Sequence, residues 1–129
     1  MIVLDTSALL FWTLDPGNLS QSAKQAIEKA DKILVSSISV WEIALKVKRQ
    51  KLVIPLTIAD YVERLMRLEA LDILAVDVQT WLDNLNLPWE HRDPADRTIV
   101  ALATRFNCPL ITSDGVIANY YPMTIWQEK

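Results

Sequence analysis

Ile2-Val3-Leu4-Asp5-Thr6-Ser7 opens the chain with three consecutive apolar residues that stop at a carboxylate. A run this short, apolar at every position and not merely at alternate ones, reads as a strand buried on both faces. The pattern recurs at Ile33-Leu34-Val35 before Ser36-Ser37, at Ile73 to Val76, at Leu110-Ile111 before Thr112-Ser113-Asp114, and at Met123 to Trp126. Helical spacing fills the intervals, over about residues 7 to 14, 21 to 30, 38 to 49, 57 to 69, 78 to 86 and 94 to 106. Short apolar strands alternating with helices predict an α/β fold with a central, mostly parallel sheet of about five strands.

Asp15-Pro16-Gly17-Asn18 marks a turn after the first helix, Pro55 and Pro88 punctuate later connections, and Pro94 suits the first turn of a helix. No repeat, linker or low-complexity stretch interrupts residues 1–129, so one domain is expected. With 51% hydrophobic residues in 129, the chain can bury a core without disulfides. Cys108 is the only cysteine, and a carboxylate arrives at position 5 before any signal-peptide apolar region, so a cytoplasmic protein is expected. No apolar stretch approaches the ~20 residues of a membrane-spanning helix.

Composition also excludes chemistries. Two glycines, Gly17 and Gly115, leave no room for a P-loop or a dinucleotide-binding turn, and one histidine, His91, excludes a histidine-rich zinc site. A net charge of −3 is a poor footprint for a sequence-independent DNA binder, so any nucleic-acid contact needs a local basic patch. Lys46, Lys48, Arg49 and Lys51 form the one clear cluster; they line an RNA path or simply solvate a helix end.

Ligand sites in open parallel sheets lie beyond the carboxyl ends of the strands. Asp5 and Asp114 both follow strands, although each also has the pattern of a helix cap or turn. In the helix around Ser39 to Gln50, 100° steps place Val40, Trp41, Ile43, Ala44, Leu45 and Val47 on one face and Glu42 opposite, where it could pair with Lys46. Asp96 projects on the side of Ile99, Val100 and Ala103, an inward stripe. A first-turn acid gains from the helix dipole, but its inward aspect calls for a cation, because a buried carboxylate otherwise loses hydration or takes up a proton. Asp93 before Pro94 has the pattern of an N-cap, with a supporting role second.

Trp12, Trp41 and Trp81 fall at apolar helical spacing and are expected in core or interface, whereas Trp89, in a loop, is a candidate for base stacking. His91 lacks a partnered nucleophile and is expected to be structural.

Leu4-Asp5-Thr6-Ser7-Ala8-Leu9-Leu10, Ser39-Val40-Trp41-Glu42-Ile43-Ala44, His91-Arg92-Asp93-Pro94-Ala95-Asp96-Arg97 and Leu110-Ile111-Thr112-Ser113-Asp114, in this order and spacing, resemble the PIN-domain ribonucleases, specifically the VapC-type toxins of toxin–antitoxin pairs. The resemblance runs essentially the whole chain. It implies a three-layer α/β/α, Rossmann-like fold and one acidic pocket of Asp5, Glu42, Asp96 and Asp114, supported by Thr6 and Thr112. It implies hydrolysis of RNA with Mg²⁺ or Mn²⁺, which hard oxygen ligands favour. On that pattern Asp5 and Asp96 are the principal ligands, Asp114 completes the site directly or through water, and Glu42 binds a second ion or orients the nucleophile. It further implies a homodimer and an antitoxin that places a basic residue in the pocket. Ala95 departs from the bulky phenylalanine that similar toxins often carry there. Two other classes stay open: an inactive PIN-like binding module, and an aspartate-dependent phosphatase, against which Ser7 counts because the commonest such motif has a second aspartate there.

Overall fold

The computed structural model describes residues 1–126. Among them the strands are β1 (Ile2–Leu4), β2 (Ile33–Ser36), β3 (Leu71–Leu74), β4 (Leu110–Ile111) and β5 (Thr124–Ile125). The helices are α1 (Thr6–Leu14), α2 (Gln21–Lys29), α3 (Ser37–Lys48), α4 (Ile58–Met66), α5 (Val78–Asn86), α6 (Pro94–Phe106) and α7 (Gly115–Tyr120). The strands form one sheet in the order β3-β2-β1-β4-β5, with every pairing parallel.

Pleating divides the apolar runs between two cores. Ile2, Leu4, Ile33, Val35 and Ile111 pack with α1, α2 and α4 through Ala8, Leu9, Ala23, Ile27, Tyr61 and Leu65. Val3, Leu34 and Leu110 face the other way, onto Ile99, Val100, Leu102 and Ala103 of α6 and Ile117 of α7. The uninterrupted apolarity of the strands therefore has a direct cause, a helical layer on each face, and the fold is the expected three-layer α/β/α arrangement. Ala95 is buried in the second core, so the small residue fits closely packed surroundings.

Several ends shift by one residue from the sequence reading, α4 stops at Met66 and not at 69, and two further elements differ. The third strand lies at Leu71–Leu74 and not at Ile73 to Val76, because it pairs through Ile33 with Leu71 and Leu34 with Asp72. Asp72 is tolerated at this sheet edge, where Lys32 Nζ meets its carboxylate at 3.1 Å. The Asp114-Gly115 turn continues into a short helix, α7.

The sheet order sets the location of the site. β1, β2 and β3 step outward in one direction, and β4 returns to the opposite side of β1, which makes the β1/β4 junction the topological switch point. In open parallel sheets the loops that leave such a junction in opposite directions border the usual ligand site. Asp5 opens one of these loops, and its backbone N–H donates to the Ile111 carbonyl at 3.2 Å. Thr112 to Asp114 form the other.

Candidate active site at the switch point

Each predicted acid is held by its own local structure. Asp5 N-caps α1, its Oδ1 accepting from the Ala8 amide at 2.8 Å, and the Thr112 hydroxyl also bonds its side chain. Asp114 N-caps α7 through Oδ1, accepting from Val116 N–H at 2.8 Å, while its own N–H donates to Thr112 Oγ1 at 3.0 Å. Thr112 thus links the loops after β1 and β4. Asp93 N-caps α6 by accepting from Asp96 N–H at 2.9 Å, as its position before Pro94 predicts. Cap and ligand are compatible roles, since a carboxylate has about four lone-pair sites and a cap uses one or two of them.

Glu42 does not point away from the core. The buried residues of α3 are Ile38, Ser39 and Ile43, so its inner face runs along 38, 39, 42 and 43, and Glu42 lies half-buried against α1. Thr6 Oγ1 donates to Glu42 Oε1 at 2.5 Å and lies 2.8 Å from Ser39 Oγ. Trp41, placed on the inner face by periodicity alone, is instead 60% exposed, and Trp81 is also exposed. α3 is apolar on more than one side, so its sequence did not select the buried one.

Asp96, in the first turn of α6, is half-buried, and its Oδ2 lies 2.8 Å from His91 Nε2. His91, expected to be structural, holds Asp96, a pairing that the sequence reading did not foresee. Its position just before the capped start of α6, five residues ahead of Asp96, is the signal that could have found it. Trp89, half-buried, packs beside the imidazole with ring centroids 4.8 Å apart and stacks on Tyr120 at 4.6 Å, so both rings hold it in place.

The loop carrying Trp89 and His91 is fastened by Arg97. Its guanidinium donates to the carbonyls of Asn84 at 2.6 Å, Leu87 at 3.1 Å and His91 at 2.9 Å, and also to the carbonyl of Trp89. Its Nε donates to Asn84 Oδ1 at 3.3 Å. One planar fork thereby serves four backbone acceptors at once, two of which, Asn84 and Leu87, also accept a backbone N–H.

The acids perturb one another. Burial pushes the Asp5 carboxyl up to about 6, against the lowering bonds from Thr112 and Ala8, and the charges of Asp96 and Asp114 push it further. Burial likewise raises Glu42, opposed by the Thr6 bond and reinforced by Asp93. Asp96 is raised by burial, opposed by His91 and reinforced by Asp93 and Asp114. Several carboxylates within electrostatic reach of one another, at sites that penalise charge, form an environment relieved by a dication. As the side chains stand, no three Asp, Glu, His or Cys among the described residues are gathered around one point as an ion would require. The donor set is nonetheless the hard-oxygen chemistry of Mg²⁺ or Mn²⁺.

Of the basic cluster, Lys46, Lys48, Arg49 and Lys51 are all exposed at or just beyond the end of α3. Among the described residues no helix is long and apolar enough to cross a membrane.

Comparison with known proteins agrees with this architecture. The chain is 28% identical to Ribonuclease VapC22 of Mycobacterium tuberculosis, over 97% of its own length and 98% of that protein's. A toxin-antitoxin complex from Klebsiella pneumoniae superposes with a TM-score of 0.67 at 20% identity, covering 100% of both chains. VapC20 of Mycobacterium tuberculosis, described as a sarcin-ricin loop cleaving toxin, superposes with a TM-score of 0.64 at 17% identity, covering 92% of this chain and 94% of that one. The PIN domain family profile matches residues 2–121. With its motifs, sheet order and profile match in agreement, this chain belongs to the PIN-domain family.

Proposed function

We propose that this chain is an endoribonuclease dependent on Mg²⁺ or Mn²⁺, acting as the toxin of a toxin–antitoxin pair. The observation that carries this reading is that Asp5, Glu42, Asp96 and Asp114 come from four different elements and yet act on one another electrostatically, the charge of Asp96 raising both Asp5 and Glu42 and that of Asp114 raising both Asp5 and Asp96. Their bonds come from hydroxyls, backbone amides and His91, and among the described residues none of the four is tied up in a salt bridge with lysine or arginine. The names of the relatives, a ribonuclease and a toxin that cleaves an RNA loop, support RNA as the substrate.

Asp5 and Asp96 are the principal ligands, Asp114 completes the set, and Glu42 serves a second ion or orients the attacking water. When bound, the dication neutralises the non-bridging phosphate oxygens and lowers the pKa of water. The chain's own residues supply preorganisation. Thr112 fixes Asp5 and the Asp114 backbone, Thr6 fixes Glu42, and His91 fixes Asp96. The amino ends of α1 and α7 meet at the same edge and favour the scissile phosphate through their dipoles. Water attacks phosphorus, the bond to the 3′ oxygen breaks, and that oxygen takes a proton, leaving a 5′-phosphate and a 3′-hydroxyl.

The expected partners are a second copy of the chain and an antitoxin whose basic side chain neutralises the acids. Buried, unpaired Cys108 suits a reducing cytoplasm. The test is incubation of the purified chain with total RNA and Mg²⁺ or Mn²⁺, followed by end mapping. Cleavage that chelator abolishes, with 5′-phosphate ends, is expected. Cleavage indifferent to chelator, or 2′,3′-cyclic ends, overturns the reading.

A further inference from the structure

We propose that Trp41 is a nucleobase platform at the head of a shallow single-stranded RNA groove that runs out of the acidic site along α3. The groove is lined by Trp41, Glu42, Leu45, Lys46, Arg49 and Lys51. Glu42 lines it and also feels the charge of Asp96, so one residue of the groove borders the acids where a phosphodiester would be cut. Trp41 gets this role only if RNA is the substrate, as proposed above.

Three features select the occupant. Trp41 is 60% exposed, although burying an indole is among the more favourable things a chain can do with one. Positions 41, 45 and 49 fall at four-residue intervals, so Trp41, Leu45 and Arg49 form one stripe along about 12 Å of helix and its end. The chain then reverses, with Gln50 left-handed at φ 59° and Lys51 N–H donating to the Lys46 carbonyl at 2.8 Å, which folds Lys51 back over the turn bearing Lys46. A flat apolar surface is thereby flanked by three cations on a chain whose net charge is −3.

A ligand matching this pattern is anionic along its length and carries planar rings to the side, which describes single-stranded RNA. A base stacks on the indole while the neighbouring phosphates meet Lys46, Arg49 and Lys51. An acidic peptide would satisfy the cations but offers no ring for Trp41.

The experiment measures fluorescence anisotropy of a labelled oligoadenylate of about twelve nucleotides, within the usual span of such grooves. Chelator is present to prevent cleavage, and KM and kcat are measured separately on a cleaved RNA. Trp41→Ala is expected to weaken binding about tenfold and raise KM with kcat unchanged, while Trp41→Phe keeps most of the affinity. The double variant Lys46→Gln, Arg49→Gln makes the salt dependence shallower by about one unit of slope, which Trp41→Ala does not. Trp41→Ala with affinity and KM within about twofold of wild type overturns the groove and leaves the ribonuclease reading standing. A wild-type chain that neither binds the oligonucleotide nor cleaves RNA overturns both. If Trp41→Ala keeps its RNA affinity but loses self-association or antitoxin binding, the surface belongs to a protein partner and the RNA assignment fails.

Discussion

Asp5→Asn is expected to make the metal-free protein more stable at neutral pH while abolishing its RNA cleavage. The Asp5 carboxyl is almost wholly buried and raised to about 6 from 3.8, chiefly by burial, so the fold holds the protonated form more tightly than the unfolded chain does. The contribution of a group raised in the folded state is fully present below its unfolded value, near pH 4, and is lost as pH rises through about 6. Above that, wild type carries a buried charge whose cost is on the order of 2 to 3 kcal/mol. Asparagine keeps the Oδ1 that caps Ala8 and removes the charge, and it caps about as well as aspartate. Urea unfolding in chelator should therefore favour the variant above pH 7, with the difference shrinking towards pH 4. Adding Mg²⁺ should stabilise wild type and leave the variant unmoved, and cleavage should fall by at least about a hundredfold. A variant less stable than wild type at pH 7.5, or one that still cleaves, contradicts the role assigned to Asp5.

Arg97→Leu is expected to cost about 3 kcal/mol or more, a large fraction of the stability of a domain this size. The leucine covers similar apolar surface but strips the guanidinium donors from the carbonyls of Asn84, Leu87, Trp89 and His91; Asn84 and Leu87 keep a backbone N–H, so the cost falls chiefly on Trp89 and His91 and on the released loop. Arg97→Lys should recover only part of the loss, because one ammonium cannot span a fork of acceptors that far apart. The loop also carries the imidazole that meets Asp96, and His91 is the only histidine, so its ring resonances form one unambiguous set. They should shift in Arg97→Lys even where the variant remains folded. Denaturant unfolding of Arg97→Leu that falls within about 1 kcal/mol of wild type would show that the clamp contributes little.

How much of this could be read from the sequence depended on how many physical signals coincided. α6 was legible to the residue, since Asp93 caps it and Pro94 fixes its first turn, and α5 fell where its apolar spacing put it, with Asp77 as its cap. β1, β2 and β4 were legible because both their faces are buried, which makes every position apolar. β3 sits at the sheet edge and mixes Asp72 with apolar neighbours, so the more apolar run at 73–76 drew the strand two residues too late. α7 has only six residues and begins at a glycine, too little for a helical period to declare itself.

The candidate site divides in the same way. Asp5 and Asp114 were visible from their places after strands, and Asp93 from the proline that follows it. The inward aspect of Glu42 was invisible, because α3 offers apolar residues on several sides and only the contact of Thr6 with Ser39 and Glu42 decides between them. The pairing of His91 with Asp96 depends on a loop whose shape comes from Arg97, a side chain acting on backbone carbonyls across 13 positions, and no local pattern encodes such a bond. Trp41 followed from the same ambiguity: a helix with two apolar aspects buries one, and the tryptophan fell on the other.

Calorimetric titration of Mn²⁺ into the stripped protein, run in parallel on wild type and Asp96→Asn, tests most directly whether the acids form one metal centre. Wild type should bind Mn²⁺ with proton release near pH 6, where the raised Asp5 carboxyl is partly protonated, and Asp96→Asn should lose that binding while staying folded. Equal binding by the two proteins, or none by wild type, would contradict a metal centre at the β1/β4 switch point.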